Sequence, residues 1–308
     1  MIKQSRIKYT LKQCRKYKFL LILLIPGLTA MIIFQYIPMV GILMAFQNYK
    51  IKTGLWHSQW VGLKNFIYIL SNPQTLQAIG NSLIISAYSI AVTFPLTIVF
   101  ALMLNEVRAH FAKRAFQTLS YLPFFLSWVI VSKFLMDVLS PTSGLVNSIL
   151  GLFGAKPIYF MAEPNWFKTL VVFSNLWKNI GFNAIIYLAA MSGVSEDLYE
   201  AATIDGAGRF QKIRHVTLPS IYFVISITLI FSFSTLFSGG DFEQIMNMIN
   251  TQTTNAGQVV STLTYKFGFG QMQYSLSTAM SLFNSVVSII MLFIANIGVK
   301  KLTEQGIW

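Results

Sequence analysis

The chain alternates between long apolar stretches and short polar ones. Six stretches run mostly apolar for about twenty residues, the length that crosses the hydrocarbon core of a bilayer as a helix. They lie at roughly 19–46, 80–104, 116–139, 169–191, 218–237 and 276–297. The first contains Pro26, Gly27 and Pro38, so a kink or an early end is expected there; lipid tolerates such breaks where neighbours satisfy the freed backbone groups. It is too long for the apolar core of a cleaved signal peptide, and no A-x-A site closes it, so it reads as a retained helix. The segments 47–79 and 241–275 are long for plain connections and are expected to carry short helices or re-entrant pieces. No low-complexity linker or strong repeat interrupts the chain. The expected organisation is a basic tail at 1–18, one membrane domain at 19–298 and a short tail at 299–308.

Composition agrees. Of the 308 residues, 55% are hydrophobic and only 11% charged, against about 25% charged in ordinary soluble domains. A soluble globular enzyme and a disordered chain are both excluded on that ground. The net charge of +13 would suggest nucleic acid in a soluble protein, but its placement gives another cause. Fifteen of the 23 Lys and Arg fall before the first stretch, between the second and third, between the fourth and fifth, or after the last. The positive-inside rule therefore places both termini of a multi-pass membrane protein in the cytoplasm. The single Cys14 allows no internal disulfide and no thiolate metal cluster. His57, His110 and His215 are scattered without metal-ligand spacing, and neither a phosphate loop nor a G-x-S-x-G elbow occurs.

The most informative segment is 194–219, between the fourth and fifth stretches. It holds Glu196, Asp197, Glu200 and Asp205, four of the ten acids in the chain. Ser195 before two acids reads as a helix N-cap with favourable charge in the first turn. Leu198, Ala201, Ala202 and Ile204 give a small apolar face, and Gly206 and Gly208 allow a sharp turn. Leu218-Pro219 then opens the next stretch, Pro being common at a helix start. From spacing alone two readings stand: an amphipathic loop resting on lipid headgroups, or a short helix offered to a partner.

At this point the chain resembles a known family. Glu200-Ala201-Ala202, then Gly206, then Val216-x-Leu218-Pro219, looks like the EAA motif of binding-protein-dependent ABC importer permeases, with Val216 where Ile is usual. Trp60 to Phe66 (WVGLKNF), Asn81-Ser82-Leu83, Leu122-Pro123, Gly144, Asn147, Trp177 and Gly181 resemble segments of the carbohydrate-uptake branch. The resemblance implies an all-α fold, a polytopic bundle of six transmembrane helices with cytoplasmic termini and a cytoplasmic coupling helix. It implies that Glu200, Ala201, Ala202, Asp205 and Gly206 form that helix, docked in a cleft of a cytosolic ATPase dimer. ATP and Mg would be used there, and this chain would bind no cofactor and catalyse no reaction. A second permease subunit and an extracytoplasmic substrate-binding lipoprotein complete the expected assembly, which the resemblance places in the bacterial cell membrane, with membrane lipid around it and no nucleic acid.

Import of a sugar or oligosaccharide needs amides, hydroxyls and aromatic faces in a cavity between helices. The candidates are Asn175, Trp177, Lys178, Asn179, Asn183 and Tyr187 in the fourth stretch, Ser232 in the fifth and Asn284 in the sixth. Polar groups at this depth should face the bundle interior; the plainer reading of each is a helix–helix hydrogen bond. Lys133 and Asp137, four residues apart, read as an intrahelical ion pair. The alternative function, an ion-coupled secondary transporter of small polar solutes, calls for unpaired intramembrane acids and broken repeats; a membrane-embedded enzyme calls for a catalytic constellation. Neither pattern is present.

Overall fold

The computed structural model describes residues 16–303. Cys14 and most of the basic leading tail, as well as residues 304–308, lie outside the described residues. The first apolar stretch is helical from α1 (Lys18–Met31) through a π turn at Ile32–Tyr36 and a tightened helix at Ile37–Phe46. Pro26 is accommodated inside α1. Pro38 has no N–H to continue the α-helical ladder, and the geometry changes around it. A two-residue antiparallel ladder follows, β1 (Gln47–Asn48) against β2 (Gln59–Trp60), with Gln47 opposite Trp60. Then come α2 (Lys64–Ser71) and α3 (Pro73–Glu106), which is capped by Asn72 accepting from the Gln74 and Thr75 amides.

The third stretch is not one rod. α4 (His110–Tyr121) runs into a short 3₁₀ turn, Leu122–Phe125, and the chain bends by 102° before α5 (Trp128–Val138). Leu126 and Ser127 are extended, and the Ser127 side chain caps the new helix on the Ile130 amide. α6 (Leu145–Leu152) and α7 (Pro164–Ser192) follow, then α8 (Glu196–Ile204). The fifth stretch bends by 66° at Ile221, just after Pro219, and continues as α9 (Tyr222–Ser234). α10 (Phe242–Met248), α11 (Val260–Tyr265) and α12 (Tyr274–Thr303) complete the described chain.

By length and composition, Lys18–Phe46, Pro73–Glu106 and Tyr274–Lys301 can each cross a membrane, and the two bent pairs raise the number to five. α7, expected as a further crossing, is 29 residues long but too polar to meet the same measure. It nevertheless lies in the bundle, packed along α3. The last helix continues through residue 303, so the tail expected from 299 begins as helix.

In lipid, apolar side chains gain little by facing inward, and close fit with interhelical hydrogen bonds replaces the hydrophobic drive. The structure follows that rule. Many Leu, Ile and Phe side chains of α1, α3 and α12 face outward. A Cβ on Gly181 of α7 would collide with the Ser120 backbone, so the α4–α7 crossing needs glycine. At the end where α7 begins, polar bonds join distant segments. Asn81 donates to the Asn255 and Gln258 carbonyls at 2.9 and 3.0 Å, and Ser82 accepts from the Val260 amide at 2.9 Å. Gln244, fully buried, donates to Val171 O at 2.7 Å and Ser174 Oγ at 2.9 Å. A core of Ile85, Phe160, Phe167, Val171, Ile245 and Val259 fills the same end.

Candidate functional site

α3, α7 and α9 enclose a cavity of about 770 Å³. α3 lends Ser86, Ser89, Thr93 and Thr97 with Ile90 and Phe94. α7 lends Asn175, Phe182, Asn183, Ile186 and Tyr187, and α9 with the chain after it lends Thr228, Ser232, Thr235, Ser238 and Gly240. None of these side chains carries a formal charge at neutral pH. The wall is therefore hydroxyl and amide groups alternating with aromatic and aliphatic faces.

Part of this polar surface is already engaged. Tyr187 and Thr228, both in the lining, share a hydrogen bond of 2.9 Å between α7 and α9. Thr97, Thr228 and Ser232 hydroxyls donate back to carbonyls four residues earlier, at 2.7, 2.8 and 2.9 Å. Asn175 reaches Gln244 at 3.3 Å. Among the described residues the Asn183 amide has no hydrogen-bond partner, so it is open to a guest.

Four of the sequence candidates, Asn175, Asn183, Tyr187 and Ser232, thus line the cavity, and four do not. Trp177 stands outside it, half exposed and stacked on Phe134 of α5 with ring centroids 6.0 Å apart. Lys178 is buried against the bend between α4 and α5 rather than in a wet space. Asn179 is absent from the lining. Asn284 packs in α12 with its Oδ1 buried and unbonded. The α3 hydroxyls and Phe182 were missed because α3 reads as a uniformly apolar crossing; their spacing, Ser86, Ser89, Thr93, Thr97, is the helical signal that marks one polar stripe. Lys133 and Asp137 form the expected pair at 2.9 Å, but on an outward face, 72% and 64% exposed, rather than in the interior.

The second feature is α8, at the opposite end of α7 from the polar network. Ser195 accepts from the Asp197 amide at 3.3 Å, with Glu196 and Asp197 in the first turn. The helix stops at Gly206, which has φ +76. The Gly206 amide bonds the Thr203 carbonyl at 3.0 Å and the Ala207 amide the Ala202 carbonyl at 2.9 Å, the paired bonds of a Schellman ending. Gly208, also expected to serve the turn, has φ −71, which any residue adopts. Tyr199 ties α8 to Thr217 at 3.0 Å and Lys212 donates to Thr203 at 2.6 Å.

Leu198, Ala201, Ala202 and Asp205 lie on one face, and with Gly206, Ala207, Gln211, His215 and Val216 they border a shallow concavity of about 410 Å³. Ile204, assigned to the same apolar face from sequence, points elsewhere and is 86% exposed. The Glu200 carboxylate is exposed and has no partner among the described residues.

A helical membrane bundle with an uncharged polar cavity and an exposed acidic helix at one end defines the class of a solute permease. The chain belongs to the family of binding-protein-dependent transport system inner membrane components, whose model matches residues 93–304. It is 37% identical over 308 residues to the polygalacturonan/rhamnogalacturonan transport system permease protein YteP of Bacillus subtilis (strain 168), covering 100% of this chain and 96% of that one. It is 37% identical over 294 residues to protein LplB of the same organism, covering 96% and 92%. Its fold is similar to a chain in the crystal structure of a bacterial ABC transporter involved in the import of the acidic polysaccharide alginate, with TM-score 0.87, 35% identity and coverage of 96% and 99%. A second structure of the alginate transporter, in complex with an alginate pentasaccharide-bound periplasmic protein, matches equally well.

Proposed function

We propose that this chain is the translocation subunit of an ATP-driven importer that moves a sugar or oligosaccharide through the α3–α7–α9 cavity, and that α8 is the lever by which a separate ATPase pair drives it. The observation that carries this reading is the single helix α7, which walls the cavity and leads through three residues into the acidic, exposed α8. The charge pattern supports cytoplasmic termini and a cytoplasmic α8. The alginate complex supports delivery by an extracytoplasmic binding protein, and the relatives' names support a saccharide cargo. A second permease subunit completes the path.

Closure of the two ATPase subunits around ATP and Mg displaces the cleft that holds α8. Packed helices switch between discrete arrangements rather than bending continuously, so the motion reaches the cavity as a change in the angle of α7 against α3 and α9. Hydroxyls and the free Asn183 amide exchange hydrogen bonds with sugar hydroxyls, while Phe94 and Phe182 offer faces to the C–H side of a pyranose. No covalent step occurs in this chain.

The test is reconstitution with the partner permease, the ATPase subunits and the binding protein, reading ATP hydrolysis and uptake against neutral and uronate oligosaccharides. Stimulation by at least one saccharide series is expected. Saccharide-independent hydrolysis with no uptake across the whole panel refutes the proposal.

A further inference from the structure

We infer that Lys178 is a positioning residue for transport: it pins the break in the third crossing and ties that break both to the cavity wall and to α8. The side chain is only 6% exposed inside an apolar bundle. The only ion pair among the described residues joins Lys133 to Asp137, so no carboxylate neutralises Lys178. A buried, unpaired ammonium is costly, and its surroundings show what compensates it. Lys178 Nζ donates to the Phe124 carbonyl at 2.6 Å. It also sits 5.2 Å from the Phe124 ring centroid and 5.4 Å from that of Trp128, within cation–π range.

The placement follows from the bend. Where α4 and its 3₁₀ turn end, backbone carbonyls lose their helical donors and the negative end of the helix dipole is exposed. Phe124 precedes the 102° break and Trp128 follows it. One ammonium therefore holds both sides. Two further α7 residues complete the seat. Gly181 leaves room for the Ser120 backbone, and Phe182 stacks on Phe124 with ring centroids 3.8 Å apart and planes within 3°. Phe182 is also part of the cavity wall. Lys178, Gly181 and Phe182 are three and four residues apart, so they form one surface of α7.

The inference rests on the importer reading above and adds a route to it. When α8 moves, α7 moves with it, and the break must either follow as a unit or give up the Lys178–Phe124 bond. The pin makes it follow, so Phe182 in the cavity wall, stacked on Phe124, shifts in step with the ATPase.

The experiment uses the assembled complex in lipid nanodiscs and proteoliposomes. Cys14→Ser removes the single cysteine of this sequence, and Leu119→Cys with Met136→Cys places spin labels on exposed sites either side of the break. Pulsed electron paramagnetic resonance then reads the α4–α5 distance. With Lys178 present, one narrow distribution that shifts on ATP binding is expected. Lys178→Met is expected to broaden it and abolish the shift. Uptake per ATP hydrolysed should fall about tenfold or more, the population change that one lost charge-assisted hydrogen bond produces, while Lys178→Arg retains most of the coupling. An unchanged distribution and an unchanged uptake-to-ATP ratio in Lys178→Met overturn the inference, as does a variant that merely assembles in lower yield with normal coupling per complex. If Lys178→Met does not assemble, Phe182→Leu is measured in its place, and intact coupling there has the same force. A native complex without ATP-driven uptake refutes the importer reading instead, and the distance widths, which need no transport, still decide the pin.

Discussion

Replacing Gly206 by alanine isolates one physical term. The residue sits at φ +76, a conformation that costs an L-residue roughly 1–2 kcal/mol. A Cβ built there meets nothing within 4 Å, so steric collision adds nothing. The whole effect is backbone strain at the Schellman ending, where the Gly206 and Ala207 amides hold the last carbonyls of α8. If α8 must keep this ending to dock, Gly206→Ala should weaken ATPase binding by about 5–30-fold, the factor that 1–2 kcal/mol represents. Gly206→Asn should recover most of the loss, because asparagine tolerates the left-handed region. The assay is titration of nanodisc-embedded permease pairs with labelled ATPase subunits, read by fluorescence anisotropy. Equal loss in the two variants would refute the conformational account and indicate instead that the partner cleft presses on a surface with no side chain. Undiminished binding in Gly206→Ala would mean that α8 does not need this ending at all.

Three further outcomes are expected. Glu200→Ala, at an exposed carboxylate without an internal partner, should lower ATPase affinity about tenfold, as a modest interface hot spot does, while membrane insertion and the amount of permease pair on a detergent sizing column stay unchanged. Asn183→Leu should reduce uptake several-fold through the lost cavity amide with normal assembly; wild-type uptake removes Asn183 from the cargo path. Asn147→Ala should cost about 1–3 kcal/mol, seen as a lower melting temperature in nanodiscs, because its buried amide donates to the Leu139, Ser140 and Ile158 carbonyls and accepts from the Ile158 amide at 2.8 Å.

Several motif residues noticed in the sequence hold corners of the fold rather than cargo. The Trp60–Phe66 run places Trp60 in the two-residue ladder, Gly62 at φ +58, and Asn65 on the Ala45 and Gln47 carbonyls at 2.8 and 3.0 Å. Asn81 and Ser82 lock α3 to the chain before α11, and Gly181 sets the α4–α7 distance. Gly62 supplies a left-handed turn in an exposed segment, whereas Asn65, Asn81 and Ser82 satisfy backbone groups and Gly181 allows a close approach.

The apolar stretches, the charge asymmetry and the acidic Glu200–Ala202 segment were set by local composition, because a bilayer selects for run length and each cap or turn is decided by its neighbours in the chain. Ser195 caps α8 and Gly206 ends it for reasons contained within a dozen residues. Which polar side chains share a cavity was decided only by how the helices pack. Asn175 and Lys178 are one turn apart on α7, yet one lines the cavity and the other is buried in the 102° bend. That division depends on the angular position of each residue against α3, α4 and α9, and helical spacing within one segment contains no information about which neighbour stands on which side.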